Sequence, residues 1–248
     1  MKKSYLFIIV LFASSLLHIS CNKAERDYNR IIRKEYRTMS DYEKYIKKYP
    51  NSPYLSAIVD SAAMYIIRFN SIFDIRENEY NGSDLYEIRQ KLNQLLSDEN
   101  SLWNIVKQKD DANSYDYFLE TFPNSIHQEE AYKLLIERDV AEAFNGEHGI
   151  LPSMDKGART GRSYSTLEIE NRTEYLLTIS YSGPDYKRIK IPPHDKIVVK
   201  IGNGYYDVAA RVKASNVRPF VGKETLDGSY FSSSFYISST PSFGGYRY

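Results

Sequence analysis

The chain has 248 residues, 42% of them hydrophobic and 26% charged, and a formal net charge of +1. That is enough chain for two modest domains, each able to bury its own core. The near-balanced charge removes the electrostatic case for nucleic acid or for an anionic membrane surface. The 23 tyrosines are an unusual load and suit half-buried strands and binding surfaces alike.

Lys2 and Lys3 precede an apolar run from Leu6 to Leu17, broken only by Ser14 and Ser15, and small Ser20 precedes Cys21, the only cysteine. The run is too short to span a bilayer, which takes about 20 apolar residues, and its layout is that of a secretory signal over residues 1–20. A lone cysteine directly after the small residue resembles a bacterial lipobox, with His18 in place of the usual leucine. The resemblance implies cleavage before Cys21, acylation of its thiol and a lipid anchor in the outer membrane. An acylated Cys21 leaves no thiol for a disulfide or a metal. Residues 21–27 are then a lipid-anchored tether, loosely similar to lysine-plus-acid surface-export signals.

From 28 to 145 the pattern predicts a helical domain. Asp41 to Ser52 reads Asp-Tyr-Glu-Lys-Tyr-Ile-Lys-Lys-Tyr-Pro-Asn-Ser, and Ser114 to Ser125 reads Ser-Tyr-Asp-Tyr-Phe-Leu-Glu-Thr-Phe-Pro-Asn-Ser. Superposing Pro50 on Pro123 (123 minus 50, a shift of 73) matches Tyr42 with Tyr115, Tyr45 with Phe118, Ile46 with Leu119 and Tyr49 with Phe122. These rings recur at i, i+3, i+4 and i+7, one face of a short helix that each proline ends. Ser40 with Glu43 and Ser125 with Gln128 read as capping boxes, and Pro53 fits the first turn of the next helix. Ala57, Ile58, Ala62 and Met64 continue the stripe after the first copy. Ala131, Leu134, Leu135 and Ile136 do so after the second. Ser83 to Leu96 is the candidate for a degenerate unit in between, and Trp103, Ile105 and Val106 for the helix before the second copy.

Aromatic-x-x-aromatic-Leu/Ile-x-x-aromatic-Pro-Asn-Ser before an alanine-bearing helix resembles the tetratricopeptide-like repeats of outer-membrane β-barrel assembly lipoproteins and of periplasmic cell-division coordinators. The shift of 73 residues is close to two units of about 34. The resemblance implies protein partners in the envelope and no chemistry. A spacer that lifts the C-terminal domain off the membrane is the equal alternative.

Residues 146–163 carry Gly146, Gly149, Pro152, Gly157 and Gly161 and read as a linker or a strand-like connection draped over a domain. Over 164–238 the period becomes two, in the runs Leu167–Ile169, Leu177–Tyr181, Ile189–Ile191, Ile197–Ile201 and Tyr206–Val212, with further strands at Val217–Val221 and Tyr230–Ile237. Turn residues separate them, which predicts an antiparallel β-sandwich. Residues 239–248 form an aromatic, glycine-rich tail. The fold class expected is therefore α+β in two domains, helical-hairpin repeats followed by the sandwich.

No phosphate-cradling glycine loop, serine elbow or zinc motif is present. His148 beside Glu147, the Asp110-Asp111 pair and Ser232 to Ser234 each read as solvated structure, and Asn171-Arg172-Thr173 as a turn rather than a glycosylation acceptor. The expectation is a non-catalytic envelope lipoprotein with no catalytic residue, cofactor or metal, held to the membrane by its anchor and serving as an interaction or assembly scaffold. The rival is a glycan or peptidoglycan binder, whose discriminator is whether Tyr181, Tyr186, Tyr205 and Tyr230 stand exposed together.

Overall fold

The computed structural model describes residues 23–79, 82–214 and 216–237. Helices come first and sheets second, an α+β chain. It separates into two compact units, one up to Lys109 and one from Asp110. The boundary therefore falls ahead of the second aromatic helix pair rather than at the change in composition near Asn145, and each unit is described by itself.

In the first unit, a helix over 23–33 (α1) is followed by α2 (Met39–Lys48), α3 (Leu55–Phe69), α4 (Ile72–Arg76), α5 (Tyr86–Ser97) and α6 (Glu99–Lys109). Residues 23–27, expected within a tether, belong to α1. Asp27 on that helix accepts a hydrogen bond from the Tyr49 hydroxyl at 2.7 Å and pairs with Lys48 at 2.9 Å. These bonds hold the Asp27 carboxyl below its ordinary range, the Tyr49 hydroxyl contributing most. The core takes in Tyr42, Tyr45, Ile58 and Ala62 of the predicted stripe, with Ala57 half-buried, and is joined by Ile66 of α3, by Ile88, Leu92 and Leu96 of α5 and by Leu102, Trp103, Ile105 and Val106 of α6. Met64 departs from expectation and stands 37% exposed, because it is out of phase with Ala62, Ala63, Ile66 and Ile67.

The second unit begins with α7 (Ala112–Thr121) and α8 (Gln128–Asn145). At the shift of 73 residues its local structure matches that of α2 and α3. Thr38 and Asp111 are the N-caps of the first helices, and Tyr54 and His127 of the second. The Tyr49 and Phe122 amides each close on a carbonyl four residues back, Tyr45 and Phe118, at 2.8 Å. The capping chemistry sits two residues earlier than predicted in the first copy, where the Thr38 amide donates to Asp41 Oδ2 at 2.9 Å and Ser40 already lies inside the helix. Nor does Ser125 cap α8: its hydroxyl accepts from the His127 amide at 2.9 Å, and Ser52 does the same for Tyr54 at 3.1 Å. Both serines organise the turn that follows the proline. Pro53 correspondingly precedes the helix instead of entering it.

The sheets follow α8. One has the order β1-β8-β7-β4-β5, built from β1 (Gly149–Ile150), β8 (Phe220–Leu226), β7 (Gly204–Val212), β4 (Leu177–Ser182) and β5 (Tyr186–Ile191). The other has the order β2-β9-β3-β6, built from β2 (Asp155–Arg159), β9 (Ser229–Phe235), β3 (Tyr164–Asn171) and β6 (Lys196–Gly202). Both are mixed, not purely antiparallel, since β1 runs parallel to β8 and β3 parallel to β9. The turn signals that suggested antiparallel pairing govern only chain neighbours, and neither of these pairs is joined by a turn. The glycine-rich stretch 146–163 supplies β1 and β2, and its Leu151 and Met154 pack on the core. That core is shared by the two sheets: Leu167, Ile169, Ile201, Phe231 and Phe235 from one meet Ile179, Tyr181, Ile191, Tyr206 and Val208 from the other.

On its other face the five-stranded sheet carries α8, with Val140 and Ala143 against Ala209 and Val221. Asp139, 6% exposed, lies in this seam. Its carboxylate accepts a short hydrogen bond from the Ser180 hydroxyl and lies 2.8 Å from Arg211 Nε, an ion pair whose geometry falls short of a hydrogen bond. The Arg211 guanidinium also donates to the Asp139 carbonyl at 2.7 Å. Removing one partner of a buried pair leaves the other desolvated and uncompensated. Because Arg211 keeps a third of its side chain in solvent, Asp139→Ala is expected to cost about 2–3 kcal/mol, toward the low side of buried pairs. The triple substitution of Asp139→Ile, Arg211→Met and Ser180→Ala, which leaves no buried polar partner behind, is expected to recover most of that loss, read as urea midpoints.

Candidate functional site

Within the second unit a cleft of about 570 Å³ opens between α7, α8 and β5. The strand sets its chemistry. Ile189 and Ile191 face the core, so alternation sends Arg188 and Lys190 to the opposite face, beneath the helices. Arg188 donates from Nη1 to Asp116 of α7 at 2.7 Å, and its backbone amide donates to the Tyr132 hydroxyl of α8 at 2.9 Å. Tyr132 accepts in that bond, which leaves its own O–H directed elsewhere. The Arg188 Nε is buried without a hydrogen-bond partner. Leu119, Pro123 and Leu135 give the cleft an apolar floor, and Gln128 and Glu129 from the first turn of α8 complete its lining. The arrangement offers one internally neutralised ion pair, one exposed cation and one exposed anion around an apolar surface. It is suited to holding a side chain rather than to moving a proton.

Cys21, the predicted lipidation site, lies outside the described residues, as do the whole signal segment 1–20 and the tail 239–248. The four tyrosines of the glycan discriminator do not form a common platform. Tyr181 is buried at 3%, Tyr186 and Tyr230 are half-buried, and Tyr205 alone of the four stands out at 79% exposure. Tyr186 donates to Glu137 at 2.8 Å, and Tyr230 donates to Glu168.

The remaining sequence candidates are engaged in structure. Asp110 takes hydrogen bonds from Arg138 at 2.7 Å and from Tyr115 at 3.0 Å, and the Arg138 bond is the largest cause of its lowered pKa. Asp111 caps α7 by accepting from the Ser114 amide at 2.8 Å. Asn171 is fully buried, its amide group donating to the carbonyls of Tyr175, Ile191 and Pro192, so it is a turn organiser and no glycan acceptor. His148 Nδ1 lies 2.9 Å from the Gly146 carbonyl, Glu147 pairs with Arg218 at 3.0 Å, and Ser234 donates to Glu170. Among the described residues no group of three potential metal ligands converges, and no helix is long and apolar enough to cross a membrane.

Sequence reasoning missed Asp116, Tyr132, Arg188 and Lys190. The usable signal was the alternation of Arg188 and Lys190 with Ile189 and Ile191, which puts two cations on one face of one strand. Compared with models of known protein families and with curated proteins, the chain matches none.

Among the described residues Glu224 of β8 is the carboxyl whose pKa is raised, by burial alone. In the fold its ionised form is disfavoured, so the cost is present in full above the folded pKa and is relieved as pH falls through it toward the unfolded value. Glu224→Gln is accordingly expected to raise the melting midpoint at neutral pH by about 1–2 °C, with the gain shrinking on acidification toward about pH 4, measured by calorimetry.

Proposed function

We propose that the chain is a non-catalytic lipoprotein of a bacterial cell envelope, anchored to the outer membrane through acylated Cys21 and acting as a scaffold for envelope proteins. In this reading α2–α3 and α7–α8 are tetratricopeptide-like units and the two sheets form a β-sandwich. The observation that carries it is the correspondence of the two helix pairs at a shift of 73 residues. Caps, the turn serines Ser52 and Ser125, and the buried rings Tyr42/Tyr115 and Tyr45/Phe118 all fall in register. Helix hairpins of this type stack into surfaces that bind extended peptides or other proteins. The glycan reading asked for tyrosines exposed together, and with Tyr181 in the core it has no such support.

Acyl chains add about 0.8 kcal/mol per buried methylene, so a multiply acylated cysteine anchors durably. The full chain is expected to partition into the detergent phase of a temperature-induced phase separation, and Cys21→Ser to move it to the aqueous phase, with mass spectrometry showing a lipidated N-terminal cysteine in the first case only. A wild-type chain found in the aqueous phase with a free thiol overturns the anchor. Affinity capture from detergent extracts is expected to return a reproducible envelope protein, and a capture that returns none overturns the scaffold role.

A further inference from the structure

The geometry points to the cleft between α7, α8 and β5 as a docking site for an extended segment of a partner protein in which an aliphatic side chain lies between an acidic and a basic residue. This inference deepens the scaffold reading and rests on it.

Three observations define the occupant. Asp116 and Arg188 neutralise each other at 2.7 Å, which leaves Lys190 on β5 and Glu129 on α8 as the charges offered at the mouth. Neither of these two has an ion-pair partner among the described residues, and both are exposed. A segment carrying one acid for Lys190 and one base for Glu129 meets both, while a polyanion or polycation meets one and is repelled by the other. Between these charges the floor of Leu119, Pro123 and Leu135 takes an aliphatic group, and about 570 Å³ holds one side chain together with adjoining backbone.

The extended conformation follows from β5 itself. Among the described residues it is the edge of its sheet, bonded to β4 on one side only. The Arg188 amide points away from β4, since it donates to Tyr132, and Lys190 two residues on turns its amide to the same side. Its backbone donor and the spare Tyr132 O–H thus stand along one line that a peptide backbone can follow.

The test uses the full chain in detergent and a phage-displayed library of random dodecapeptides. Enriched peptides are expected to share an aliphatic residue flanked by one acid and one base. Lys190→Glu and Glu129→Lys are each expected to weaken them by about tenfold with unchanged melting temperature, and the double reversal to prefer peptides with acid and base exchanged. Enrichment of nothing, of peptides lacking that pattern, or of peptides indifferent to both reversals overturns the inference. The same variants in affinity capture separate the two claims. A partner recovered equally by wild type and variants rejects the cleft and leaves the scaffold standing, whereas no partner from wild type rejects the scaffold itself.

Discussion

Asp139 occupies a position that the pattern of its helix reserves for an aliphatic side chain. Shifted back by 73 residues it falls on Ile66, which is fully buried in α3. A buried carboxylate costs several kcal/mol of desolvation unless its partners are in place, and here they are Ser180 of β4 and Arg211 of β7. The requirement favours the rotation and axial position of α8 on the strands that bring both partners to one carboxylate. Tyr132 lies seven residues before Asp139, about two helical turns or 10 Å along the same face. Ser180 is directly opposite Arg188 in the ladder between β4 and β5. Holding Asp139 on Ser180 therefore also delivers Tyr132 to the Arg188 amide, and the cleft inherits its geometry from a bond outside it.

One sequence pattern thus serves two settings. In the first pair, Ile58, Ala62, Ala63, Ile66 and Ile67 of α3 form an uninterrupted apolar face. In the second pair the corresponding buried positions of α8 are Ala131, Leu135, Ile136, Asp139 and Val140. The first three keep the apolar character that packing on α7 needs, and the exception comes where the helix meets the outer face of a sheet. That face carries Ser180, Ala209 and Arg211, so an isoleucine there would leave the serine hydroxyl without this partner and the guanidinium with the backbone carbonyl of residue 139 but no carboxylate.

How much of this was legible follows from the range of each signal. Helix existence and the ring stripes were legible because they depend on contacts three and four residues apart, and the proline stops because they act on the adjacent residue. Most strand locations were legible for the same reason, the alternation at Leu167–Ile169 or Ile189–Ile191 being local, whereas the strand expected at Val217–Val221 runs instead over Phe220–Leu226. The parallel pairing of β3 with β9 joins residues more than sixty positions apart, Thr166 with Tyr230, and no local pattern specifies it. The first capping box was misplaced by two residues because Ser40 and Thr38 both precede an acid at the right spacing; in the fold Asp41 is the acid that serves, held as well by Lys34 at 2.7 Å. Of the cleft, sequence alone offered charges on an edge strand, which in isolation describe a solvated surface.

An edge strand has a row of unpaired amides and carbonyls that invites pairing with another chain, and proteins blunt such edges with charges or by covering them. β5 has both devices. Lys187 and Lys190 are exposed on it, and Tyr132 occupies the Arg188 amide. The cover is incomplete by construction, since a helix crossing the edge can satisfy the amide beneath it and not the one two residues further along. The length of edge beyond that bond carries Lys190, and in the docking proposed above it is the part of the strand that the partner segment would meet.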